Sequence, residues 1–113
     1  MSAYNTVSVL ADCPRCGQRI DVIVQFKYGD TWQHEYRLLD ELRWGGNDIG
    51  DRGVARVVVD GVAEHPCPAC GYDDEWRFYV YVEHDRIVEV GTATGLHDFV
   101  GAANTYIVLQ QCK

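Results

Sequence analysis

Four of the five cysteines in this chain of 113 residues form two pairs of the same spelling, CPRCG at 13–17 and CPACG at 67–71. A gap of two residues lets both thiolates of a pair turn toward a single ion. Proline stiffens the turn by fixing φ, and glycine takes the left-handed angle that brings backbone N–H groups close to sulfur. Two such knuckles complete a tetrahedron of sulfur, so Cys13, Cys16, Cys67 and Cys70 are read as the ligands of one metal ion.

Zinc is the expected metal, one ion per chain, with iron as the alternative. Four thiolates at about 2.3 Å leave zinc no open position, so the site is structural and does not activate water. Structural zinc contributes on the order of 10–16 kcal/mol in small peptides at neutral pH. Here it joins two places with fifty residues between them. Disulfide or dithiol redox chemistry is the lesser alternative. The N-terminus MSAYNTVSVLADCPRCG has no basic start followed by a long apolar stretch, and no apolar run nears the roughly 20 residues that cross a bilayer. A cytoplasmic protein without a membrane segment is expected, and a reducing cytosol disfavours disulfides.

The other reactive side chains carry weaker signals. His65 lies two residues before Cys67, but four cysteines already fill the ligand set, so it is read as a neighbour of the knuckle. His34, His84 and His97 are scattered, and Cys112 has no base or oxyanion donor identifiable near it in sequence. The acidic run Asp73, Asp74 and Glu75 lacks EF-hand spacing and reads as a solvated turn. No phosphate loop, nucleophile elbow, HExxH pair or dinucleotide fingerprint is present, and a noncatalytic protein is expected.

The elements that must hold the knuckles read as strands. In RIDVIVQF, Ile20, Val22, Val24 and Phe26 alternate with polar neighbours, and in EWRFYVYV, Trp76, Phe78, Val80 and Val82 alternate with Arg77, Tyr79 and Tyr81. Each strand follows a cysteine pair. A hairpin over 75–90 turning at His84 and Asp85, and further strands at 6–10, 54–60 and 105–110, complete a small, mainly β, antiparallel domain spanning 1–113. The stretch TWQHEYRLLDELRW fits two short strands turning near Asp40. WGGNDIGDRG is rich enough in glycine to be irregular.

The knuckles and their adjoining strands resemble the zinc-ribbon and rubredoxin-like metal-binding group, in which two knuckles on β-hairpins pinch one metal. The resemblance implies metal binding and says little of function, because that architecture serves many roles. The insert between the pairs is longer than rubredoxins suggest. GGNDIG and the following VVVDG also resemble a segment of an uncharacterised family of small bacterial proteins, which implies no activity.

Seventeen acidic against ten basic side chains give a net charge of -7, with no basic run. Binding to a phosphate backbone draws on a basic patch, so a nucleic-acid-binding zinc ribbon is the disfavoured reading. The favoured one is a protein-protein interaction module such as an adaptor, assembly factor or immunity-like protein. Trp44 and Asp48, on the glycine-rich loop, are the candidate partner-binding residues.

Overall fold

The computed structural model describes residues 4–50, 52–72, 76–97, 99 and 105–110. Its strands are β1 (Asn5–Asp12), β2 (Arg19–Phe26), β3 (Gly29–Asp30), β4 (Glu35–Arg37), β5 (Asp48–Ile49), β6 (Arg56–Ala63), β7 (Arg77–Glu83), β8 (Arg86–Thr92) and β9 (Tyr106–Gln110). Seven of them form one curled sheet in the order β4-β1-β2-β6-β7-β8, with β9 also paired to β6, while β3 and β5 pair separately. The acidic run 73–75 and Cys112 lie outside the described residues.

The alternation expected of RIDVIVQF holds, with Val22, Val24 and Phe26 buried and Asp21 and Ile23 turned outward. Trp76, Phe78, Val80 and Val82 are likewise buried, and with Val7, Val57, Val59 and Ile87 they fill the concave side of the sheet. Tyr79 is buried too, on the opposite face. There its hydroxyl accepts hydrogen bonds from the N–H groups of Gly95 and His97, so the segment after β8 roofs β7.

The edge of β6 is shared. Gly61 to Ala63 pair with β2, whereas Arg56 to Val59 pair with β9. A side chain at Gly61 would bring its Cβ to 2.6 Å from Val24 Cγ1, so the approach of β2 to β6 requires glycine there.

The turn of the β7–β8 hairpin places His84 at φ 48° and Asp85 at φ 67°, the two positive angles of a type I′ turn. Of the two short strands expected in TWQHEYRLLDELRW, one forms as β4. The second reduces to a single bridge from Glu41 to Arg86. Beside this bridge, Leu39 N–H donates to Ile87 O and Ile87 N–H to Asp40 O, fastening the chain after β4 to the start of β8. The sheet thereby curls back on itself.

One pairing departs from the antiparallel expectation: β4 runs parallel to β1. The cause lies at the start of β1, where the Asn5 Oδ1 accepts from His34 N–H and Thr6 N–H donates to His34 O. These bonds draw the returning chain in at the end where β1 begins, so both strands leave in the same direction. The glycine-rich loop is irregular apart from β5. Among the described residues, no helix is long and apolar enough to cross a membrane.

Candidate metal centre

Each cysteine pair forms the tip of a hairpin, the first joining β1 to β2 and the second joining β6 to β7. The pairing of β2 with β6 sets the two tips side by side, continued by Glu64 N–H donating to Ile23 O. Residues remote in sequence are therefore brought together by the sheet itself.

The knuckles repeat one another bond for bond. In the first, Cys13 N–H donates to Gln18 O and Gly17 N–H to Cys13 O, and in the second Cys67 N–H donates to Tyr72 O and Gly71 N–H to Cys67 O. Gly17 and Gly71 stand at φ 75° and 78°. A Cβ at either would meet nothing within 4 Å, so backbone angle and not space selects glycine. The shared spelling of the pairs is this shared turn.

All four sulfurs lie within 4.8 Å of one another. Cys13 Sγ is 3.6 Å from Cys70 Sγ, and Cys16 Sγ is 3.8 Å from Cys67 Sγ. A tetrahedron with metal–sulfur bonds of about 2.3 Å has edges of about 3.8 Å, so the donor set fits one zinc-sized or iron-sized ion held by thiolates alone. Cys13 and Cys67 are buried, whereas Cys16 is exposed and Cys70 half-buried. The first cysteine of each knuckle would thus anchor an ion to the core and the second would cover it from the solvent side.

The thiols are unequal before a metal replaces their protons. For Cys13, burial opposes ionisation, but the N–H groups of Cys16 and Arg15 and the neighbouring thiols outweigh it and bring the pKa down to about 6. Cys16 is pushed up to about 11: the N–H of Gln18 favours its thiolate, but desolvation and sharing of its proton with the other sulfurs prevail. The N–H of Tyr72 lowers Cys70.

Arg15 was not singled out by sequence, yet it ties the two knuckles together. Its guanidinium donates to Cys70 O at 2.5 Å and lies 5.9 Å from the centre of the Tyr72 ring. The only signal for it is the variable position of CPxCG, arginine in one knuckle and alanine in the other.

The histidines take other partners. His65 is 3.1 Å from Glu64 Oε2, His34 is 2.9 Å from Asp30 Oδ2, and His97 is 3.1 Å from Tyr81 Oη. Trp44 and Asp48 both have internal contacts. The Trp44 ring packs edge-on against Tyr28 at 5.6 Å, and the Asp48 carboxylate accepts from Gly45 and Gly46 N–H. The four cysteines make a metal-binding group compatible with a zinc ribbon, and compared with family models, curated proteins and solved structures the chain matches none.

Proposed function

We propose that this chain is a noncatalytic protein-protein interaction module whose β fold is clamped by one structural zinc ion. The observation that supports the metal clamp is the clustering of four sulfurs within 4.8 Å of one another at the joined tips of two hairpins. A four-thiolate shell has no position for water or substrate, so the ion's effect is mechanical: it fixes two hairpins that the chain connects only through a long insert. Bound zinc would supply no acid-base or redox chemistry.

The interaction role is supported by what the surface presents. Leu10, Trp32, Leu39 and Leu96 are more than half exposed, and the net charge of -7 favours encounter with a basic protein surface. The same charge opposes nucleic acid. Trp44 and Asp48 enter this reading as the residues that shape the glycine-rich loop next to Trp32.

Metal analysis and salt-dependent binding test the proposal together. Protein produced without added metal should carry one zinc per chain and bind a protein partner more weakly as ionic strength rises. An oxidised sample with the visible absorption of an iron tetrathiolate would favour the electron-transfer alternative, to which the same sulfur geometry also lends itself. Tight binding to random duplex DNA at physiological ionic strength would overturn the module in favour of a nucleic-acid role.

A further inference from the structure

Two unlike cavities flank Ile23, one on the outward face of β1, β2 and β4 and one between the first half of β2 and the segment that carries the second knuckle, and together they form a groove of two lobes. One, of about 210 Å³, is lined by Ile20, Ile23, His65, Pro66, Pro68 and Trp76 beside the second knuckle. The other, of about 270 Å³, is lined by Tyr4, Thr6, Ser8, Ile23, Glu35 and Glu64. Ile23 belongs to both, so the two cavities adjoin at that side chain. The register explains the position of the second: Ser8 lies opposite Ile23, and Thr6 lies opposite Gln25 on one side and Glu35 on the other, all on the face turned from the core.

The lobes differ in what they would hold. The first is lined mainly by aliphatic and proline side chains together with Asp21 and His65, and Trp76 contributes a buried indole N–H with no acceptor among the described residues. Leu10, 56% exposed, stands opposite Asp21 at its margin. The second is acidic. Neither Glu35 nor Asp21 has an ion-pair partner among the described residues, whereas Glu64 pairs with His65 and accepts from the Tyr4 hydroxyl and the Gln25 amide. Arg37, in register with Ser8, is the cation on this stretch of β4, so carboxylates outnumber it. Each lobe is smaller than the roughly 300–1,000 Å³ typical of a small-molecule site. Each is of a size for one side chain.

The geometry points to this groove as the docking site for an extended peptide of a protein partner. An aliphatic or aromatic side chain enters the lobe beside Trp76, and a lysine or arginine a few residues away enters the lobe closed by Glu35 and Glu64. Charge and shape select the occupant: a largely apolar hole next to Glu35, whose carboxylate has no ion-pair partner among the described residues, matches an apolar residue next to a cation. The inference deepens the interaction-module reading and rests on it for the existence of a partner, while the site rests on the groove alone.

The test is an NMR titration of isotope-labelled, metal-loaded protein with the peptide Ac-Leu-Ala-Arg-Ala-NH2, against Ac-Leu-Ala-Glu-Ala-NH2 and Ac-Ser-Ala-Arg-Ala-NH2. The first should shift Ser8, Ile23, Glu35 and Glu64 saturably and bind at least tenfold more tightly than either control. Glu35→Gln, an exposed change, should reduce binding severalfold, and Ile23→Ser should abolish it with metal content and spectral dispersion retained. Absence of saturable shifts, or equal binding of all three peptides, would overturn the groove. Saturable shifts confined to another surface would overturn it too, while leaving the module reading in place.

Discussion

The two ends of the curled sheet are closed by different means. At one end the hairpin tips of β1–β2 and β6–β7 meet at four cysteine sulfurs, beside Trp76, Tyr72 and the partly buried Ala11, Ile20 and Ala63. At the other, neutral and charged hydrogen bonds do the closing. Asn5, fully buried, donates to Tyr28 O and Asp30 O and accepts from His34 N–H, while Asp30 accepts from Asn47 N–H and pairs with His34. The lesson is one of concentration. A metal held by the four cysteines would place the cohesion of one end in a single ion, whereas the other end spreads it over many bonds, each worth about 1 kcal/mol net.

The largest expected effect follows from that concentration. Cys16→Ser or Cys70→Ser should release the metal and unfold most of the domain, because metal binding on the order of 10 kcal/mol is comparable with a whole domain's stability of about 5–15 kcal/mol. Circular dichroism with metal analysis reads both losses. A variant that kept its fold without metal would place the cohesion elsewhere.

At the opposite end, Asn5→Ala should cost about 3 kcal/mol, since it strands buried backbone groups, yet leave one metal per chain. Urea unfolding of the loaded protein measures it. Loss of metal from this variant would mean that the two ends are not independent.

Acid should separate the ends in sequence. Metal binding requires thiolates, and Cys16 in particular holds its proton to about 11, so affinity falls continuously as pH drops through neutrality. Asp30 behaves otherwise: the His34 hydrogen bond and Asn47 N–H lower its pKa, so its contribution is complete above the unfolded carboxylate value and is lost only as pH falls through the lowered one. Following metal release and the amide signals of Asn47 and His34 across an acid titration should show metal leaving first. Simultaneous loss would contradict the comparison.

The smallest effect is at Leu39, which sits at φ 76° with its side chain 57% exposed. Leu39→Gly should change stability by no more than about 1 kcal/mol, because relief of the left-handed penalty offsets glycine's entropy cost. Thermal unfolding checks it, and a large loss would show that the Leu39 side chain holds the closure to β8.

The same contrast governs what was legible in the sequence. The metal end announces itself, because ligand chemistry tolerates few spellings: the knuckle turns, the four ligands and the strands leading from them are all readable from CPRCG, CPACG and the alternation after each. Trp76 follows from the same alternation. The other end is written in single polar residues whose partners lie far off in sequence, as Asn5 with Asp30 or Asp85 with Gly53 N–H. No local pattern signals such pairs. The parallel pairing of β4 escaped for that reason, and so did the reach of Arg15 to Cys70 O, since the arginine is one of many surface cations until the sheet brings the knuckles together.

X-ray absorption at the metal edge, on protein purified without added metal, reads directly whether four cysteines alone hold the ion. One zinc per chain surrounded by four sulfurs at about 2.3 Å is expected, with no nitrogen or oxygen ligand. A shell with fewer than four sulfurs, or one completed by histidine or water, would contradict it.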